Sequence, residues 1–135
     1  AGTGLVAPDP QPELHIIGVN SFASPGMWLS RRDGRPHLEV ESKPTIAEGL
    51  EGGVGERTFR LVQEFVHQVL AVNEPTVRRT VVEIAREEHM IVEGSAAVAV
   101  AALLEGQVRA KRVCVVLTGC NIDWSRFREL AAEAS

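Results

Sequence analysis

A hydroxyl, a glycine and an amide follow directly after an unbroken apolar run in this chain. Residues 113–117 are apolar and rich in valine, and Thr118, Gly119 and Asn121 come next. A short apolar run bounded by a turn signal predicts a strand buried on both faces, as in a parallel sheet. Ligands of such sheets bind beyond the carboxyl ends of the strands, which would place the Thr118 hydroxyl at a ligand crevice. The same pattern also fits a strand that simply ends in a turn.

The other elements that would position these residues predict an α/β fold. Apolar, β-branched runs favour two more strands, and helical spacing of apolar residues favours four main helices. The predicted strands are 14–19, 68–72 and 113–117, and the predicted helices are 58–67, 74–89, 94–104 and 124–134, with a helical turn at 27–30 and mostly loop over 34–55. Alternating strands and helices favour a three-layer open parallel sheet with helices on both faces.

Composition excludes several classes of protein. The chain has 135 residues, 44% of them hydrophobic, which predicts a single α/β domain over 1–135 with its own core. The net charge of −4 argues against a nucleic-acid partner, and no apolar stretch is long enough to span a membrane. Without a secretory signal pattern, Cys114 and Cys120 are predicted to be reduced thiols, and the predicted location is the cytoplasm.

Three segments resemble the carboxyl-terminal part of the fold-type-II pyridoxal-phosphate enzymes, in the threonine dehydratase and serine racemase branch. They read T-I-A-E-G-L at 45–50, V-E-G-S-A-A at 92–97 and L-T-G-C-N-I-D at 117–123. Their order and spacing agree with that family from Leu14 to Asp123. The resemblance implies the family's fold, incomplete here because the amino-terminal part of the domain has no counterpart in this chain.

The resemblance also implies two groups of site residues and pyridoxal phosphate as the cofactor. The cofactor-binding residues would be Gly2, Thr3, Gly4, Leu5, Glu93, Thr118 and Gly119, and a loop on the substrate side would contain Ala47, Glu48 and Gly49. Residues 1–4 take the place of a tetraglycine loop whose N–H groups surround the phosphate. Without the resemblance, such a glycine-containing chain end would be interpreted as a flexible terminus.

Thr118 matches the residue whose hydroxyl binds the pyridine nitrogen of the cofactor in the family. A neutral hydroxyl cannot protonate this nitrogen as a carboxylic acid can, and this suits β-elimination better than full storage of a carbanion. Glu93 matches an acid near the ring edge. It could equally stabilise a helix through its position at the amino-terminal end.

The family's cofactor-binding lysine has no counterpart in this chain. That lysine precedes the phosphate loop, whereas the lysines here are Lys43 and Lys111. Neither has the required context, so no catalytic residue is assigned and no imine with the cofactor is expected.

Two further departures concern a metal site and the last motif. Asn20, Ser24 and Gly26 stand where the family's divalent-cation site would use acids, so no metal site is predicted. Cys120 replaces a glycine of the final turn, which changes the geometry expected there.

The sequence therefore predicts a fragment of a threonine-dehydratase-like lyase that supplies part of the cofactor cleft and is inactive alone. Its expected partner is the missing amino-terminal part of the enzyme, or a second copy in a homodimer that covers exposed sheet edges. The alternative is a truncated, non-catalytic α/β module for binding or dimerisation. The proline-rich link at 6–13, where the family has a helix, favours this alternative.

Overall fold

The structure is a computed structural model that describes residues 14–134. The described elements are two strands, five helices and one short 3₁₀ turn. In chain order they are β1 (Ile17–Ser21), α1 (Gly26–Asp33), the 3₁₀ turn (Glu48–Leu50), α2 (Glu56–Phe65), β2 (Gln68–Val72), α3 (Glu74–Glu87), α4 (Gly94–Leu104) and α5 (Trp124–Glu133). Within the described range, no helix has both the length and the apolar character needed to cross a bilayer.

The two strands pair in parallel over their whole length. The register runs from Ile17 opposite Gln68 to Ser21 opposite Val72. Because parallel strands need a long crossover, residues between them form α1 and α2 rather than a hairpin. The parallel α/β architecture predicted from the sequence is confirmed.

Each face of the β1–β2 pair packs against different helices. Leu70 and Val72 belong to the main core with α3 and α4, and Ile17 and Val19 pack against that core. On the other face, the Cβ position of Gly18 lies next to Val69, on the side where α1 contacts both strands. Alternate strand residues point to opposite faces, so both faces carry side chains to be covered. Helices cover both of them.

The main core is built largely from α3 and α4. Alanine is frequent in α4, and the small side chains allow this helix to pack closely against α3. Val77 and Val81 of α3 and Ala97 and Ala101 of α4 are fully buried. Leu130 is 1% exposed and anchors α5 to this core.

The predicted strand at 113–117 is wrong for this structure. The segment is irregular and pairs with no other strand in the described part of the chain. Val113 is 46% exposed and Val116 is 62% exposed, so the run is not buried on both faces. An apolar run forms a strand only where another strand pairs with it, and neither β1 nor β2 pairs with this segment.

Most other element predictions agree with the structure. Strand β2 and helix α4 have the predicted bounds, while β1 is shifted towards the carboxyl end and α1 is longer than one turn.

Asn73 is the residue before α3, but its side chain does not cap the helix. Its backbone N and its Nδ2 instead donate hydrogen bonds to Glu105 Oε1 at 2.9 and 3.2 Å. Desolvation by burial raises the pKa of Glu105, but the hydrogen bonds from Asn73, Thr76 and Gln107 together outweigh it, so the pKa is lowered.

A small charge network ends α1 and has a testable pH dependence. The Arg32 guanidinium and the His37 ring contact the Asp33 carboxylate at 2.6 and 2.8 Å and lower its pKa to about 2. The carboxyl of an unfolded aspartate titrates near pH ~4. The stabilisation is therefore fully present above that pH and is lost as pH falls through about 2.

We expect Arg32→Ala to raise the pKa of Asp33, because it removes the hydrogen-bond donor that lowers this pKa most. An NMR titration of the Asp33 carboxyl measures this shift, with Arg35→Ala as the control on a neighbouring exposed arginine. Equal Asp33 pKa values in the two variants would contradict the assignment of Arg32 as the main cause.

Candidate functional site

Glu93 and Gly119 are far apart in the chain and adjacent in the fold. Glu93 is the residue immediately before α4, and its backbone N donates a hydrogen bond to the Gly119 carbonyl oxygen at 3.2 Å. A Cβ atom on Gly119 would overlap the Glu93 carboxylate. Glycine at 119 therefore leaves room for the Glu93 carboxylate beside the 117–123 turn.

The predicted substrate-side loop packs against the same end of α4. The backbone N of Gly49 donates a hydrogen bond to Ser95 Oγ at 2.9 Å. A Cβ on Gly94 would overlap the Ile46 carbonyl group, so the loop backbone lies directly on the first turn of α4. Ala47 is fully buried, which fixes the middle of this loop in the core.

The three motifs singled out in the sequence thus meet at the amino-terminal end of α4. The 45–50 loop contacts it through Gly49, and the 117–123 turn contacts it through Gly119. The four phosphate-side residues, Gly2, Thr3, Gly4 and Leu5, lie outside the described residues.

The side chains of Thr118 and Glu93 remain open to a ligand. Thr118 is exposed and Glu93 is half-buried, and neither side chain has a hydrogen-bond or ion-pair partner in the described range. Thr118 is placed by the contact between Gly119 and Glu93, and not by the end of a paired strand as the sequence predicted. A free hydroxyl such as that of Thr118 can donate a hydrogen bond to the nitrogen of a pyridine ring.

Glu74 is a residue of this region that the sequence did not indicate. Its Oε2 accepts a hydrogen bond from Thr45 Oγ1 at 2.6 Å, and its Oε1 accepts one from the Ile46 backbone N at 2.7 Å. The only local signal was an acidic residue in the first turn of α3, which is common because it stabilises the helix dipole. Its link to the loop depends on tertiary structure.

A polar cavity of about 360 Å³ borders the other side of the loop. Its lining consists of Pro44, Thr45, Glu48, Glu51, Glu74, Arg78 and Arg126. Glu48 therefore borders a different space from Glu93, Thr118 and Gly119, which are not part of this lining.

Neither lysine of the chain lies within the three motifs. Lys43 and Lys111 are both exposed, and neither forms an ion pair in the part of the chain described. Neither lines the polar cavity beside the loop. Within the described residues, neither lysine side chain has a hydrogen bond or ion pair with the groups at this end of α4.

The residues at the position of the family's divalent-cation site are neutral, and their side chains form hydrogen bonds with the backbone. Asn20 Oδ1 accepts a hydrogen bond from the Trp28 backbone N at 2.9 Å, and Ser24 Oγ donates to the Leu50 carbonyl oxygen at 2.9 Å. Across residues 14–134, no group of three or more metal-ligating side chains occurs. A divalent cation needs carboxylates or free carbonyls, so this donor set does not fit one. The absence of a metal remains a prediction.

Comparison with known proteins agrees with the motifs. Residues 1–119 match the family model described as "Pyridoxal-phosphate dependent enzyme". The L-threonine ammonia-lyase of Thermotoga maritima is 36% identical over 125 residues, which cover 91% of this chain and 31% of that protein.

Two solved structures show the same fold. The processed form of threonine deaminase isoform 2 from Solanum lycopersicum has a TM-score of 0.80 and 25% identity, covering 94% of this chain and 36% of that one. Serine racemase from Dictyostelium discoideum has a TM-score of 0.77 and 25% identity, covering 90% and 40%.

The chain therefore spans less than half the length of each of these three proteins. The extent of the family match, together with the order of the three motifs and their meeting at α4, leads to one conclusion. The chain belongs to the pyridoxal-phosphate-dependent enzyme family, and it is similar to threonine ammonia-lyases, threonine deaminases and serine racemases.

Proposed function

We propose that this chain forms one wall of the cofactor cleft of a threonine-dehydratase-like lyase. The observation that carries the proposal is the meeting of the 45–50 loop, Glu93 and Gly119 at one end of α4. The names of the relatives support a hydroxy amino acid as substrate and elimination of its hydroxyl group as the reaction. The family supports pyridoxal phosphate as the cofactor.

Pyridoxal phosphate, when bound, supplies an electron sink for the carbanion that forms at the substrate Cα. In this proposal the Thr118 hydroxyl holds the ring nitrogen without giving it a full proton, and Glu93 lies beside the ring. The backbone of loop 47–49 forms the substrate-side wall. Residues 2–5 lie outside the described residues, and their proposed role is to bind the phosphate through their N–H groups, as a glycine-containing segment can.

The chain alone is proposed to be inactive. Formation of an imine with the cofactor needs a lysine at the site, and Lys43 and Lys111 are both exposed and lie outside the three motifs. Another polypeptide segment would supply the lysine and the opposite wall of the cleft.

The exposed apolar surface supports such a partner. Met90 and Ile91 are each 44% exposed, and Val113 and Val116 are exposed as well. Apolar side chains of this kind on a segment without strand pairing favour association. The proposed occupant is the amino-terminal part of the same enzyme, with self-association into a homodimer as the second possibility.

A spectroscopic titration with pyridoxal phosphate tests the cofactor proposal. We expect saturable binding without the absorption band of an imine, and about tenfold weaker binding for Thr118→Val, which removes one hydrogen bond to the ring. Thr118→Ser keeps the hydroxyl and is the matched control. Equal affinities of Thr118→Val and Thr118→Ser would contradict the role of Thr118.

The proposed partner can be tested by adding the lysine-bearing amino-terminal part of a relative to this chain. The molecular mass of the mixture and its activity are then measured. We expect a stable complex that eliminates the hydroxyl of threonine, and no activity of either part alone. Failure to bind the cofactor, combined with a stable homodimer, would instead support the non-catalytic dimerisation module.

A further inference from the structure

The Glu74 carboxylate holds the substrate-side loop with both of its oxygens. Oε1 accepts from the Ile46 backbone N, and Oε2 accepts from Thr45 Oγ1. Glu74 is the first residue of α3 and follows β2 after one residue, so its backbone is fixed by the sheet. The Ser21 hydroxyl at the end of β1 also reaches Oε2, at 3.5 Å.

Thr45 connects Glu74 to Ala47 at the buried centre of the loop. An ionised carboxylate only accepts hydrogen bonds, so the Thr45 hydroxyl must donate its proton to Glu74. The lone pairs of the same oxygen then face the Ala47 backbone N, which donates to Thr45 Oγ1 at 3.0 Å. The direction of each hydrogen bond in the series from Ala47 to Glu74 is thereby defined.

The loop is therefore tied at two points to two different elements. Glu74 ties residues 45–47 to the ends of the strands, and Ser95 ties Gly49 to the helix that begins beside Glu93. The Glu74 contact holds the amino-terminal side of the loop, and the Ser95 contact holds Gly49 beside the start of α4. A change at Glu74 would release the amino-terminal side of the loop without changing any residue proposed to bind the cofactor.

We infer that Glu74 is a positioning residue, which acts through the Thr45 hydroxyl to hold loop 47–49 in the geometry that the cofactor cleft requires. The role of Glu74 in holding the loop rests on the hydrogen bonds alone. Its effect on the cofactor cleft rests on the proposed function.

Amide hydrogen exchange measured by NMR tests the loop directly. We expect Glu74→Ala and Thr45→Val each to speed exchange of the Ala47 amide by about tenfold, the effect of losing one hydrogen bond of ordinary strength. Exchange at Val82 and Ala101, in the buried helices, should stay unchanged. Thr45→Val conserves the side-chain shape, so it serves even if Glu74→Ala folds poorly.

Conservative variants show whether the polar groups are responsible. Thr45→Ser keeps the hydroxyl, and Glu74→Gln keeps an acceptor for Ile46 and a polar partner for Thr45, so both should retain the protection of Ala47. Unchanged exchange in Glu74→Ala and Thr45→Val would overturn the inference. Equal losses in Thr45→Ser and Thr45→Val would overturn it as well.

The affinity for pyridoxal phosphate separates this inference from the proposed function. A wild-type chain that does not bind the cofactor contradicts the proposed function, while the exchange data still decide the role of Glu74 in the loop. When the wild type binds, we expect about tenfold weaker binding by Glu74→Ala, again the equivalent of one hydrogen bond. Lost protection of Ala47 with unchanged affinity would overturn the positioning role.

Discussion

Replacing Leu130 with alanine is expected to lower the free energy of unfolding by about 2–5 kcal/mol, because it leaves a cavity in a packed core. Leu130 is 1% exposed and is the buried residue of α5 that joins the main core. Its loss would weaken the docking of α5 on α3. Denaturant unfolding monitored by circular dichroism measures the change.

Leu104 provides the matched control for this substitution. It is also a leucine in a helix, but it is 47% exposed. Leu104→Ala should change the free energy of unfolding by less than about 1 kcal/mol, as expected for an exposed position. Equal destabilisation by the two substitutions would contradict the assignment of Leu130 as the anchor of α5.

Replacing Gly94 with alanine is expected to lower the free energy of unfolding by about 1–3 kcal/mol, the usual effect of overpacking. The added Cβ would overlap the Ile46 carbonyl group, which belongs to the backbone and cannot move as a flexible side chain can. The loop must then shift away from α4, and we expect faster exchange of the Gly49 amide that bonds to Ser95. Unfolding and amide exchange measure the two effects.

Gly55→Ala is the control for Gly94→Ala. Gly55 precedes α2 with a φ of −69°, which alanine adopts without strain, and a Cβ there meets no atom within 4 Å. This control should change the free energy of unfolding by less than about 1 kcal/mol, because the restriction of the unfolded chain by alanine is offset by its lower preference for the position before a helix. A Gly94→Ala variant as stable as Gly55→Ala would show that the loop does not rest on the first turn of α4.

The tertiary contacts of the site explain which residues the sequence missed. The motif containing Glu93 and the turn containing Gly119 carried local patterns, so their resemblance to a family predicted both. Glu74 and Ser95 contact the loop from 28 and 46 residues away, and each has an ordinary explanation as part of a helix start. A residue whose partner is distant in the chain leaves no periodic signal.

The segment 113–117 shows the opposite error. Its apolar composition predicted a buried strand, yet Val113 and Val116 are exposed and the segment has no strand partner in the described range. Hydrophobic patterns report what a segment would bury when a neighbour is available. They do not report whether the neighbouring strand is present.

By itself, the sequence determined the α/β class, the bounds of β2 and α4, and the three motifs that identify the family. These follow from local periodicity and from residue types at fixed spacing. Only the tertiary structure decided that Gly119 meets Glu93 and that Glu74 holds the 45–50 loop. Hydrogen bonds and close packing between distant segments depend on how the elements dock, and no local pattern encodes that arrangement.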